Sequence, residues 1–176
     1  MDVGISSLPP RPRGRYPAPM IRMELSRIVI SETSDEQVIV LKESEGDRAF
    51  PIMIDLFVAV AIDRKVKGAK TLRPLTHDLL ENVIRALDGK LEKVVIHDLR
   101  KGTFFARLHI NREDGRTAEV DSRPSDAIAL ATQAGAPIFV DEKVLAQAVP
   151  PEEDKPEGEP GEPEAPAPPE TPEAGS

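Results

Sequence analysis

The sequence predicts an α+β fold, in which a mixed or antiparallel β-sheet carries about three packed helices in a single domain with disordered termini. Runs rich in β-branched residues occur in groups rather than alternating one by one with helices, which favours α+β over repeated βαβ units. A strongly amphipathic stretch and an Arg-Pro helix start mark two of the helices. Residues 150–176 contain nine prolines and nine acidic residues, a composition that cannot bury enough apolar surface to fold.

The first three strands follow from β-rich runs separated by polar turns. Residues 24–30 and 36–42 form a hairpin around a turn of Ser, Glu, Thr and Asp, and residues 48–54 follow a second turn that contains glycine. Pro51 has no N–H to donate to a neighbouring strand, so the third strand is expected at a sheet edge or at a bulge.

Two helices follow these strands. Residues 55–67 have a helical pattern, with Asp55 placed to cap the N-terminus and Gly68 placed to end the helix. The next helix is expected to have Thr76 as its N-cap and to end at the Asp88-Gly89 pair. Its apolar residues fall on one face: Leu79, Leu80, Val83, Ile84 and Leu87.

The second half of the chain predicts further strands and a helix with small side chains. This helix begins at Arg123-Pro124, because proline fits the first turn, and it ends at Gly135. Its body, residues 127–131, alternates alanine with Ile and Leu and must pack closely against a neighbour. The remaining elements are strands at 94–99, 103–110, 117–121 and 137–140 and a small helix at 142–148.

Composition divides the chain into a basic Pro/Arg-rich arm (1–22), a domain (23–149) and an acidic Pro/Glu-rich tail (150–176), and both ends are expected to be disordered. The whole chain has a net charge of −8, and the tail alone, with nine acidic residues and one lysine, also carries −8. The arm, with four arginines and one aspartate, carries about +3, and the domain, with 18 basic and 21 acidic residues, carries about −3. Since duplex-binding proteins usually have a basic excess, any nucleic-acid contact must be local, brief, metal-bridged or made by the arm.

Several classes of protein are excluded by what the sequence lacks. It has no cysteine, which rules out disulfides and thiolate metal sites. The longest apolar run, residues 56–62, is too short to span a bilayer, and the N-terminus has no apolar signal segment. A soluble cytoplasmic protein is therefore expected. The acidic tail is either a solubilising spacer or an occupant of a cationic site that weakens nucleic-acid binding.

Three sequence blocks carry a family resemblance: RPLTHDLL at 73–80, GTFFARL at 102–108 and DSRPSDAIALA at 121–131. In this order, across residues 23 to about 149, the chain resembles the bifunctional nuclease family, small domains associated with both DNase and RNase activity. The resemblance implies a nuclease that hydrolyses DNA or RNA with low sequence specificity. One position departs from the family, which usually carries a Glu-Ala pair where this chain has Val58-Ala59. If the family's glutamate is a metal ligand or a general base, this chain lacks it, and if it is a surface or interface residue, nothing is lost.

The start of the Arg-Pro helix is the first candidate centre. Arg123 and Ser125 offer donors to a phosphate, while Asp121 and Asp126 are candidate catalytic carboxylates and tentative ligands of Mg²⁺ or Mn²⁺. Glu119 shares a strand face with Asp121 and is a third candidate. The alternative is that Asp126 caps its own helix and the other carboxylates face solvent.

A second candidate centre lies at the start of the amphipathic helix. His77 is suited to moving a proton near neutral pH, and Asp78 accompanies it as a catalytic candidate. Arg73 precedes a proline just as Arg123 does, so two similar helix starts in one groove would present both arginines to one phosphate. The alternative is an ordinary helix N-terminus, in which the negative charge of Asp78 stabilises the positive end of the helix dipole.

The strand at 103–110 offers a third candidate surface. Phe105, Arg107 and His109 alternate with core residues and form either a nucleic-acid face, with Arg107 on phosphate, or a face exposed to solvent or to a second copy. A homodimer is expected from the apolar first helix and the strand edges. The second functional hypothesis is a non-catalytic oligomeric module that regulates or binds a ligand. His97 is expected to be a strand histidine rather than a ligand.

Overall fold

The computed structural model describes residues 19–31, 36–69 and 71–149, which form seven strands and four helices. The arm and tail predicted to be disordered lie outside the described residues, apart from residues 19–22. The strands are β1 (Met20–Val29), β2 (Glu36–Glu43), β3 (Ala49–Asp55), β4 (Gly89–Arg100), β5 (Thr103–Arg112), β6 (Thr117–Ser122) and β7 (Ile138–Asp141). The helices are α1 (Leu56–Val66), α2 (Thr76–Ala86), α3 (Pro124–Ala134) and α4 (Glu142–Ala148).

The strands form one mixed sheet in the order β3-β2-β1-β7-β4-β5-β6. All neighbours are antiparallel except β4 and β7, which are parallel. The short strand β7 therefore joins two halves of the sheet that are each built from hairpins. The predicted α+β class is confirmed. Four helices rather than about three pack on the sheet, because the small helix predicted at 142–148 also packs on β4 and β7.

The predicted strands are present, and their bounds differ where long-range pairing extends them. β1 begins at Met20, before the expected boundary at residue 23, because residues 20–23 pair with β7. β4 begins at Gly89, because its first residues pair with the far end of β5. Pro51 is confirmed on an edge strand, opposite Val40 of β2.

The helix ends follow local chemistry, with one correction. The Asp55 carboxylate accepts a hydrogen bond from the backbone N–H of Val58 at 3.0 Å and caps α1 as predicted. Thr76 is not the N-cap of α2. Leu75 takes that position, because its N–H donates to the Asp78 carboxylate at 2.8 Å and Thr76 becomes the first helical residue. Gly135 ends α3 in the left-handed conformation, with φ of 67°.

The helices differ in what they bury. α3 packs on α1, α2, β4 and β5, and its alanine-rich body is buried throughout, as its small side chains predict. α2 has the predicted apolar face, but most of that face is exposed, and the buried residue of the helix is Glu81. Ile84 alone among the five predicted apolar residues packs against the core. In the described part of the chain, no helix is long and apolar enough to cross a membrane.

Candidate functional site

A groove of about 880 Å³ lies between α1 and the start of α2 and reaches the first turn of α3. Because α1 and α2 both pack on α3, the groove has α3 as its floor. Ala129 of α3 lines a narrow cavity that continues the groove between the two helices. The charged or titratable residues that line the groove are Asp55, Arg64, His77, Arg123 and Asp126.

Arg123 and Asp126 form a two-pronged ion pair at the start of α3. The Nε and Nη2 atoms of Arg123 donate to the two oxygens of Asp126 at 2.7 and 3.1 Å. The hydrogen bonds and charge of Asp126 raise the pKa of Arg123, and the carboxylate of Asp55 adds a weaker contact at 4.0 Å from Nη1. Two-thirds of the Arg123 side chain remains exposed, so the guanidinium can face a ligand in the groove.

His77 links the two Arg-Pro helix starts. Its Nε2 lies 3.6 Å from Oδ1 of Asp126, which brings the first turn of α2 against the first turn of α3. Burial acts to raise the pKa of Asp126, but the hydrogen bonds and charge of Arg123, together with His77, outweigh it and lower the pKa. Asp126 is therefore a carboxylate at neutral pH and carries a negative charge beside His77.

Both carboxylate oxygens of Asp78 accept hydrogen bonds. One oxygen accepts from the N–H of Leu75, and the other accepts from the side-chain amide of Gln133, which lies 55 residues away in the sequence. These bonds cap α2 and tie it to α3. The carboxylate therefore positions the helix that carries His77, while His77 itself points toward Asp126.

Arg73 borders the continuation of the groove rather than the part that holds Arg123. It lines an adjoining depression of about 550 Å³, together with Arg64, Lys65 and the Pro74-Leu75 pair. Arg64, Pro74 and Leu75 line both parts, so the two Arg-Pro helix starts border one continuous depression. The basic residues along it suit a chain of phosphates.

Asp121 and Asp126 are not brought together. Asp121 pairs in register with Arg107, whose neighbours Ala106 and Leu108 point into the core beneath α3. Because successive residues of a strand point to opposite faces, Asp121 and Arg107 lie on the face of the sheet away from α3. Glu119 lies on that outer face, 3.4 Å from Nη1 of Arg107 and 3.8 Å from Nδ1 of His109.

Ser125 and His97 do not line the groove itself. Ser125 is buried and lines an adjoining depression, bordered by β3 and the start of β5, that shares Asp55 and Arg123 with the groove. His97 is a half-buried strand residue whose Nε2 has no hydrogen-bond partner, and burial followed by the charge of Arg107 lowers its pKa.

The carboxylates of this site do not fit a resident metal ion as they stand. Both oxygens of Asp126 accept from Arg123, and Asp121 lies on the other face of the sheet. Within the described ranges, no group of three or more His, Asp or Glu side chains is arranged to hold a metal. An ion at Asp126 would compete with the guanidinium of Arg123 for the same two oxygens.

Several groove residues have no clear signal in the sequence. Asp55 was predicted only as a helix cap, yet its carboxylate also faces Arg123. Arg64 lies on the groove side of α1, and Phe57 lines the rim with 85% of its side chain exposed. Val58, where the resembled family usually has glutamate, lines the same groove and is 5% exposed. Only the packing of α1 on α3 places these residues around Arg123.

The chain belongs to the bifunctional nuclease domain family, which it matches over residues 39–153, more than half of its 176 residues. The resemblance of the three sequence blocks is thereby confirmed. Two relatives, the uncharacterized proteins MT1877 and Rv1829 of two Mycobacterium tuberculosis strains, are each 42% identical to the chain over 131 residues. The matched region covers 73% of this chain and 77% of each relative.

Proposed function

We propose that this protein is a nuclease that hydrolyses phosphodiester bonds of DNA or RNA with low sequence specificity, with its centre in the groove between α1 and α2. Membership of the bifunctional nuclease domain family supports the reaction class. The observation that carries the proposed centre is the contact of His77 with Asp126 beside the exposed guanidinium of Arg123. It combines a proton carrier, a charge partner for that carrier and a phosphate-binding cation in one groove.

Arg123 provides charge for the phosphate. Its pairing with Asp126 holds the guanidinium in a fixed orientation, and the exposed part can donate to non-bridging phosphoryl oxygens, where negative charge grows in the transition state. Arg64 lines the same groove and supports the neighbouring phosphate. Contacts to the phosphates of a nucleic acid carry no sequence information, which agrees with low sequence specificity.

His77 is the proposed proton carrier. The neutral imidazole takes a proton from the water that attacks phosphorus, the new P–O bond forms, and the bond to the leaving oxygen breaks. The leaving oxygen receives a proton from solvent, and the products are a phosphomonoester and an alcohol. The Asp126 carboxylate stabilises the imidazolium formed in this step.

A divalent cation remains part of the proposal as a co-reactant brought with the substrate. Mg²⁺ retains water and binds substrate phosphates together with only one or two carboxylates. Asp121, a candidate ligand in the sequence, would support such an ion only in a site on the outer face of the sheet, apart from Asp126.

The experiment measures cleavage of labelled single-stranded RNA and duplex DNA by the full chain in Mg²⁺, Mn²⁺ or EDTA. We expect His77→Ala and Arg123→Met to reduce kcat/KM by roughly 10²-fold or more, the scale of a lost proton carrier or charge donor. Asp121→Asn is the matched control on the outer face. Each variant must keep the thermal melting of the wild type within a few degrees.

The outcomes separate the alternatives. Loss of cleavage in Asp121→Asn, with full cleavage in His77→Ala, would move the centre to the outer face of the sheet. Cleavage equal in all variants would point to a contaminating nuclease. No cleavage by the wild type under any condition would favour the second candidate function, a non-catalytic oligomeric module, for which the exposed apolar face of α2 is the specific observation.

A further inference from the structure

The outward face of α2 carries a row of large aliphatic side chains. Their exposed fractions are 56% for Leu79, 40% for Leu80, 43% for Val83 and 66% for Leu87. They recur at the spacing of one helix face. The helix thus presents to the outside the kind of face that normally packs against another helix or sheet. We call Leu79, Leu80, Val83 and Leu87 the leucine face.

The attachment of α2 to its own domain is largely polar. Asp78 bonds to Gln133 and His77 contacts Asp126, both on α3. Ile84 is the member of the predicted apolar face that packs against the core. Contiguous apolar patches of this kind are rare on monomeric proteins and mark interaction sites.

The acidic tail does not have the composition to cover the leucine face. Residues 150–176 contain no Leu, Ile, Val, Met, Phe, Tyr or Trp. Nine acidic residues and nine prolines cannot fill a row of aliphatic side chains, and proline prevents the continuous helix that would match it.

A second copy of the same helix fits the face. The row runs from Leu79 to Leu87, and Val83 is its midpoint. A two-fold axis through Val83 that sets the helices antiparallel places Leu79 of one copy near Leu87 of the other and keeps like ends of the helix dipoles apart. We propose that the protein forms a homodimer in which the leucine faces of two α2 helices pack antiparallel across a two-fold axis at Val83.

The size of the face sets the strength of the dimer. An eleven-residue helix spans about 16 Å, and a standard interface buries about 1,600 Å² in total. A single helix face about 16 Å long and about 10 Å wide covers less than the roughly 800 Å² that each partner of such an interface contributes, so we expect the dimer to dissociate on dilution. If the proposed nuclease function holds, cleavage per chain rises with protein concentration, because dimerisation fixes the helix that carries His77.

The absence of cysteine allows a direct test on the full chain. Val83→Cys introduces the sole thiol, and mild oxidation should give a covalent dimer of twice the 19.2 kDa chain mass. Two cysteines at a two-fold axis come within the short Cα separation that a disulfide needs. Met53→Cys, exposed on the edge strand β3, is the control and should remain single-chain. This readout does not depend on nuclease activity.

A second variant tests the same surface without a covalent bond. Val83→Glu should change the mass measured by light scattering from twice to once the chain mass, with an unchanged far-ultraviolet circular dichroism spectrum. A wild type that is monomeric at about 100 µM, or a dimer unaffected by Val83→Glu, overturns the proposal. Cross-linking through Met53→Cys instead of Val83→Cys also overturns it and assigns the contact to the strand edge. If the thiol of the Val83→Cys variant is protected within a monomer, the proposal fails as well, and the face is covered by the chain's own N-terminal segment.

Discussion

Helices α2 and α3 begin alike and are used in opposite ways. Each has an Arg-Pro pair at or just before its first turn and an aspartate within that turn. α3 buries a body of small side chains against α1, α2, β4 and β5. α2 turns its polar side toward α3 and its leucines outward. The comparison shows that an amphipathic pattern identifies a helix with two different faces, but the apolar face need not be the one that packs on the core of the same chain.

The largest expected effect concerns the packing of α3. Ile128→Ala should lower the free energy of unfolding by about 2–5 kcal/mol, because it leaves a cavity at a fully buried site. Leu87→Ala, on the exposed leucine face, should change it by within about 0.5 kcal/mol at concentrations where the protein is monomeric. Urea unfolding of both variants checks the contrast. Equal losses at low protein concentration would mean that the leucine face is packed within the monomer.

A smaller effect is expected from the polar tie between the two helices. Asp78→Ala removes the bond to the Leu75 N–H and the bond to the Gln133 amide, and should cost about 1–2 kcal/mol. A double-mutant cycle with Gln133→Ala isolates the contact between the helices. Additive losses in urea unfolding would show that Asp78 acts only as a cap of α2.

The smallest expected effect is the pH dependence of the pair at the start of α3. Arg123 and His77 lower the pKa of Asp126 in the folded state. The stabilisation is therefore present above the unfolded aspartate pKa of about 3.9 and disappears as the pH falls through the lower folded value. Asp126→Asn should cost about 0.5–1 kcal/mol at pH 7, and this difference should shrink as the pH falls through the folded-state pKa of Asp126. Urea unfolding of the wild type and of Asp126→Asn, measured from pH 7 downward, checks whether the two free energies of unfolding converge. A difference that stays constant with pH would assign the loss to packing.

Much of the fold follows from local signals in the sequence. The Arg-Pro start and Gly135 predict the ends of α3, Asp55 predicts the cap of α1, and Pro51 predicts an edge strand. These features depend on backbone chemistry within a few residues. The prediction of Thr76 as the N-cap is wrong, because the carboxylate of Asp78 accepts from the N–H of Leu75, one residue earlier.

The site was less accessible to sequence reasoning, because its contacts depend on which face each element presents. Alternation along β6 separates Asp121 from its neighbours but does not say which side α3 covers. The contacts of Asp78 with Gln133 and of His77 with Asp126 join residues far apart in the chain. Asp55 approaches Arg123 only because β3 and α1 lie beside the start of α3.

The position of β7 has a consequence for biosynthesis. This four-residue strand lies between β1 and β4, yet at residues 138–141 it is the last of the described strands to be synthesised. Until it emerges from the ribosome, the hairpins on either side have no neighbour at their inner edges, and such edges can recruit strands of other chains. We expect chains truncated before residue 138 to aggregate rather than fold, since one short insertion closes the whole sheet.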